Sequence, residues 1–131
     1  MAAARSELTI AVQPDDIDHL GHVNNAVYLQ WVQAVVVQHW TRLAPSEIVR
    51  RRLWMAQRHE ITYRRPALLG DPVVATTWVE SYRGTGARFR TLVRRGTDVL
   101  AEIQSTWVCI DAVTRRPMKI GDEVGGVFMT S

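Results

Sequence analysis

The sequence is poor in cysteine, has no long apolar run and shows no repeat. Cys109 is the single cysteine among 131 residues, so no intramolecular disulfide can form and a reducing compartment is the simplest inference. No stretch approaches the roughly 18 uninterrupted apolar residues of a membrane span, because Gln30, Gln33 and Gln38 interrupt the most apolar segment. The opening Met1-Ala2-Ala3-Ala4-Arg5-Ser6-Glu7 lacks the apolar region of a secretory signal, and the protein is expected in the cytoplasm. No linker or low-complexity block is visible, and the length suits one compact domain over residues 1–131. Charge of neither sign dominates: 16 Lys and Arg oppose 13 Asp and Glu, for a net +3 and a pI near 9.6. That balance mildly favours anionic ligands. It does not argue for nucleic acid, since the arginines are scattered and no aromatic platform is interleaved with them. His19, His39 and His59 have no metal-ligand spacing, so no metal site is expected.

What is present points to a packed globular core. Hydrophobic residues make up 47% and charged residues 22%, which places the chain among ordinary globular domains rather than disordered ones. Five Trp imply much apolar burial in a core or at an interface. A domain of this size buries only about two-thirds of its unfolded surface, so a partner subunit would help to cover the rest.

Residues 7–13 read as a short strand stopped by Pro14. A polar loop follows, in which Asp15 and Asp16 suit turn formation. It closes on Asn24-Asn25, where Asn24 is a natural N-cap. A helix is expected from about Asn25 to Leu43, with apolar residues around most of its circumference, the pattern of a buried helix. Pro45 ends or redirects the chain. Strands are expected at 54–65, 72–83, 86–95 and 99–112, separated by Leu69-Gly70-Asp71, Gly84-Thr85-Gly86 and Gly96-Thr97-Asp98. Such short breaks predict antiparallel neighbours. The order β-α-β-β-β-β is an α+β domain, a sheet curled around one helix.

The segment Asp16-Ile17-Asp18-His19-Leu20-Gly21-His22-Val23-Asn24-Asn25-Ala26-Val27-Tyr28 resembles the signature of the 4-hydroxybenzoyl-CoA thioesterase family. It is also similar to the motif of plant acyl-carrier-protein thioesterases. The likeness continues through Tyr63-Arg64-Arg65-Pro66-Ala67-Leu68-Leu69-Gly70-Asp71 and through Trp107 to Asp111 with Thr114-Arg115-Arg116-Pro117. The resemblance implies a hotdog fold, hydrolysis of an acyl-CoA or other acyl thioester without a cofactor, and a homodimer or dimer of dimers. Coenzyme A would be part of the substrate.

Thioester hydrolysis needs a base or nucleophile and donors aimed at the developing oxyanion. The start of a helix supplies unpaired N–H groups and the positive end of a dipole. The resemblance puts the carboxylate at Asp18 and the oxyanion donor at the backbone N–H of Asn25. Asp18 would attack the carbonyl or activate a water. His22 either joins Asp18 in acid–base work or positions substrate. Gly21, Val23, Asn24 and Tyr28 complete the substrate-binding set. Bacterial relatives in the resembling family often carry Glu or Asp where this chain has Gln33, which leaves Asp18 without a second carboxylate. Cys109 lies mid-strand and reads as a core thiol.

For CoA phosphates the candidates are Arg88, Arg90, Arg115 and Arg116. Alternation places Arg88, Arg90 and Arg94 on one face of their strand and Phe89, Thr91 and Val93 on the other. The same catalytic set would also serve a carrier-protein thioesterase, whose acidic partner suits a basic surface. A reading of another class is a non-catalytic hotdog module that binds acyl-CoA. A hotdog dehydratase is disfavoured, because no His stands beside a Pro-Gly-rich turn.

Overall fold

The computed structural model describes residues 2–129. β1 (Arg5–Ala11) leads through a short 3-10 turn to the long helix α1 (Val27–Leu43) and a short helix α2 (Ser46–Arg51). Four strands follow, β2 (Arg52–Tyr63), β3 (Pro72–Arg83), β4 (Gly86–Arg95) and β5 (Asp98–Asp111), then a short C-terminal helix α3 (Gly121–Gly125). The five strands form one antiparallel sheet in the order β1-β3-β4-β5-β2. This is the α+β arrangement expected from the sequence, a sheet curled around one long helix.

Alternation along the strands builds the inner face. Val79 of β3, Phe89 of β4 and Ser105 of β5 lie in one register row, Thr77, Thr91 and Ile103 in the next, and Ala75, Val93 and Ala101 in a third. All nine are buried, as a sheet with one covered face requires. The expected division within β4 holds: Phe89, Thr91 and Val93 face the core, and Arg88 is exposed on the other side. Register shifts at Ala56/Arg58, Val79/Ser81 and Val93/Arg94 bend the strands and strengthen the local twist, which curls the sheet toward α1.

Against that face α1 sets Tyr28, Trp31, Val32, Val35, Val36, His39 and Trp40, a stripe at helical spacing. The helix is buried on this side only. Gln30, Gln33, Ala34, Val37 and Thr41 are exposed, which corrects the expectation of a helix buried all round. Its apolar residues continue onto a face that one chain leaves open. Phe128 closes the core beside α1, with the rings of His39, Trp40, Trp54 and Phe89 between 5.7 and 5.9 Å from its own. The approach of α3 to the sheet depends on Gly125, where a Cβ would fall inside the ring of Tyr82.

Two other expectations change. The segments 54–65 and 72–83 are consecutive in sequence but not neighbours, because β2 crosses to the far edge and pairs with β5. The Leu69-Gly70-Asp71 break makes a tight local turn, with Asp71 N–H donating to Leu68 C=O, yet it joins strands at different places in the sheet. In addition, Pro45 stands at the cap position of α2, a helix too short to have a periodic signal. No helix among the described residues is long and apolar enough to cross a membrane.

Candidate active site

The loop before α1 is folded by its own short side chains. Ile17 and Val23 form an isolated antiparallel bridge, and Asp18 N–H donates to His22 C=O at 2.9 Å. Gly21 N–H donates to Asp18 C=O at 3.0 Å, and Gly21 has φ +81°, a left-handed conformation that glycine tolerates best. Asp18 Oδ1 accepts the Leu20 N–H at 2.9 Å. This Asx-type bond fixes the half-buried carboxylate and leaves Oδ2 without a partner among the described residues. Asp16 works as a turn former too, since its Oδ2 accepts the Gln13 N–H at 2.8 Å.

Regular helix begins at Val27, two residues after the expected start, and Ala26 at its cap position offers no side-chain bond. Asn24 does the capping one step earlier, its Oδ1 accepting the Ala26 N–H at 2.9 Å. Between residues 24 and 29 every backbone N–H is engaged but one. Asn24 donates to Asp16, Ala26 and Val27 to Asn24, Tyr28 to Asn25 and Leu29 to Ala26. Asn25 N–H has no acceptor among the described residues.

That N–H belongs to a residue lining a cleft of about 200 Å³ formed by His22, Val23, Asn25, Tyr28, Tyr63, Arg64, Arg65 and Pro66. The second wall is the end of β2 and the segment after it. It is tied to the loop by Val23 N–H to Ala67 C=O at 2.9 Å. Ala67 N–H to the Tyr28 hydroxyl at 3.2 Å ties it to the helix. Tyr63 O–H donates to Asn25 C=O at 2.9 Å, and its ring meets Tyr28 edge-on at 5.2 Å. Burial pushes the Tyr28 and Tyr63 hydroxyls above the usual phenol range, so both stay protonated donors at neutral pH.

Of the residues singled out from the sequence, His22, Val23, Asn25 and Tyr28 meet in this cleft. Asp18, Gly21 and Asn24 shape the loop that carries them. The four arginines do not gather there. Arg88 lies on the outer sheet face with Arg58, Glu60 and Gln104, and Arg90 is 3.5 Å from Glu80. Arg115 lies beside Leu53 and Met55 at the start of β2. Arg116 is exposed and held through its backbone: its C=O accepts the Asp111 N–H, and its N–H donates to Thr114 Oγ1. Arg64 and Arg65 line the cleft instead. Arg64 holds Glu102 at 2.7 Å and Arg65 lies 3.8 Å from Asp98, both with more than half of the side chain exposed. Sequence reading did not assign Tyr63, Arg64 and Arg65 to the site, although the Tyr63-Arg64-Arg65-Pro66 motif was its signal.

Gln33 is exposed on α1. Cys109 is fully buried, and burial pushes its thiol up. Among the described residues no cluster of three or more metal-ligating side chains occurs.

The family model described as the thioesterase-like superfamily matches residues 12–128. The long-chain acyl-CoA thioesterase FadM of Escherichia coli (strain K12) is 29% identical over 126 residues, covering 88% of this chain and 90% of that protein. The chloroplastic palmitoyl-acyl carrier protein thioesterase of Gossypium hirsutum is 31% identical over 84 residues, 63% of this chain but only 20% of that protein. A thioesterase from Thermus thermophilus, solved with coenzyme A and Zn, superposes with a TM-score of 0.81 at 26% identity, over 93% of this chain and 90% of its own. With a family model matched from the first loop to the closing Phe128, the chain belongs to the thioesterase-like superfamily and has its hotdog fold.

Proposed function

We propose that this protein hydrolyses acyl-CoA thioesters, with the free Asn25 N–H at the start of α1 as the observation that carries the reading. An amide donor with no protein acceptor, at the positive end of a helix, suits the oxygen of a thioester carbonyl as it takes on negative charge. Asp18 supplies the base or the nucleophile. As base it takes a proton from water, the water oxygen bonds the carbonyl carbon, the C–S bond breaks, and the CoA thiolate takes up the proton. As nucleophile it bonds the carbonyl carbon, the C–S bond breaks and the CoA thiolate departs, leaving an acyl anhydride. Water then opens the anhydride, restoring the Asp18 carboxylate, releasing the acid and giving the thiolate its proton. Either route runs without a second carboxylate, since Gln33 does not titrate.

The test is thiol release from short, medium and long acyl-CoAs, detected with a thiol reagent. Turnover supports hydrolysis, whereas saturable binding without thiol release identifies a non-catalytic acyl-CoA module. Turnover only with carrier-protein-linked chains selects the carrier-protein reading.

A long chain is favoured. A groove of about 380 Å³ between α1 and β2 is lined by Val36, Val37, Trp40, Thr41, Val49, Leu53 and Trp54. At about 1.5 Å per helical residue, Val36 lies ~16 Å along α1 from Asn25. An extended chain advances about 1.2 Å per bond, so roughly 13 bonds reach that far. The Escherichia coli relative carries the long-chain activity in its name.

For the CoA phosphates, Arg64 and Arg65 at the cleft are the leading cations, ahead of Arg88, Arg90, Arg115 and Arg116. Arg65→Ala is expected to raise KM about threefold or more with kcat unchanged, the mark of lost ground-state binding. The parent KM should rise with salt as exposed phosphate contacts are screened. If Arg88→Ala raises KM and Arg65→Ala does not, the phosphates lie on the outer sheet face.

The same reading includes a homodimer joined at β2. This edge strand is 12 residues long and has Leu53 and Met55 exposed at 38% and 56%. The backbone groups along its free edge are a template for pairing with a second strand. Sedimentation at micromolar concentration is expected to show at least a dimer. A stable monomer with full activity excludes it.

A further inference from the structure

Asn25 is held from both sides, and one of the holds comes from the sheet. The peptide before it, which carries the Asn25 N–H, is held by Asn24 C=O accepting Val27 N–H at 2.9 Å, and Asn24 itself is anchored by its N–H donating to Asp16 C=O at 2.8 Å. The peptide after it has a weaker helical partner, since Tyr28 N–H reaches Asn25 C=O at 3.3 Å, and no side chain caps α1 at Ala26. The short bond to Asn25 C=O is the one from Tyr63 O–H, at 2.9 Å. Tyr63 crosses 38 residues of sequence to make it. Its ring is fixed by the edge-on contact with Tyr28, 88° between planes, and Tyr28 is itself tied to Ala67.

We propose that Tyr63 is a positioning residue whose hydroxyl, by holding the Asn25 carbonyl, sets the direction of the free Asn25 N–H in the cleft. The inference deepens the thioesterase reading and rests on it for its effect on rate. Asn25 φ and ψ are the only soft torsions between its two peptides. The N–H is coplanar with the Asn24 carbonyl, so holding that carbonyl through Val27 and the Asn25 carbonyl through Tyr63 leaves neither peptide plane free to turn about these torsions. A donor aimed in advance at the developing oxyanion needs no reorganisation during reaction. Tyr63 also closes the cleft as one of its walls, so the end of β2 and the start of α1 form one unit.

Tyr63→Phe removes the O–H and keeps the ring on Tyr28. With a long-chain acyl-CoA, kcat is expected to fall about tenfold while KM stays within about twofold, since the lost interaction acts mainly in the transition state. The melting temperature should stay near the parent value. Placing p-aminophenylalanine at position 63, which restores a donor on the same ring, should recover most of the rate. The Asn25 amide resonance should shift in Tyr63→Phe, and its hydrogen exchange should change, whether or not the parent turns over. Unchanged kcat in Tyr63→Phe overturns the proposal. So does an unmoved Asn25 amide, or a rate loss that the amino analogue does not restore. A rise in KM alone overturns it as well, by making Tyr63 a substrate contact. A parent that releases no thiol from any acyl-CoA or carrier-protein-linked chain refutes the thioesterase reading, and the amide measurement then judges the positioning by itself.

Discussion

Asp18→Asn is expected to lower kcat about a hundredfold or more, the usual scale for loss of a catalytic base. That is about 2.7 kcal/mol of transition-state stabilisation. The substitution isolates chemistry from structure. The bond that orients the side chain is the one Asp18 Oδ1 accepts from Leu20 N–H, and an asparagine Oδ1 accepts it equally well. The backbone bonds to His22 and Gly21 do not involve the side chain. The loop therefore keeps its shape while the charge and the unpartnered Oδ2 are lost. KM should hold, because Asn25, Arg64 and Arg65 line the cleft independently of that carboxylate. His22→Ala should cost less, since His22 lines the cleft as an exposed side chain and its link to Asp18 runs through the backbone. Stopped thiol-release assays on both variants decide it. Near-parental turnover in Asp18→Asn moves the base elsewhere and removes the mechanism.

Acidification should destabilise the fold well above the carboxylate range, and His39 is the cause. Its ring is fully buried, stacked on Phe128 at 5.7 Å, with Nδ1 2.6 Å from Ser6 Oγ. Ser6 Oγ already accepts from Arg42 Nε and Nη2 at 3.0 and 2.9 Å, so its own proton points at Nδ1 and His39 is neutral. Burial, helped by the nearby Arg42 charge, lowers the His39 pKa from 6.5 to about 4. Between those values the unfolded chain binds a proton that the folded protein refuses, so stability falls as pH falls from 6.5 toward 4. The loss is about 2 kcal/mol by pH 5 and about 3 kcal/mol by pH 4. Burial lowers the His59 pKa as well and adds to the loss in the same direction. Denaturant unfolding at about pH 7.5 and about pH 5 measures the difference. His39→Gln, which cannot titrate, should reduce the slope in that window. An equal slope in the variant would rule out His39 as the sensor.

The legible parts of this protein are those set by local chemistry. The strands alternate where β4 reads Arg88-Phe89-Arg90-Thr91, because a residue's face in a strand depends only on parity. The loop Asp18 to Gly21 reads as a turn because its bonds run between near neighbours. The length and apolar content of α1 announce a long helix whatever packs against it. The family motif adds the identities of Asp18 and Asn25, which spacing alone does not select.

Other features depend on contacts remote in sequence. β2 and β3 follow each other across a tight turn, yet β2 pairs with β5, because pairing is decided by which edge is open once β3, β4 and β5 have formed hairpins. The partial exposure of α1 follows from the size of the sheet that covers it. Arg64 and Arg65 line the cleft because β2 ends beside the start of α1, while Arg88 and Arg90 lie on the outer side of β4. Tyr63 reaches Asn25 for the same reason. The sequence by itself determined the five strands, the long helix, the inward face of β4 and the loop that carries Asp18, since these rest on bonds and periodicities a few residues long. Only the tertiary structure decided which wall meets that loop, since that depends on where a curled sheet brings together residues as remote in sequence as Asn25 and Tyr63.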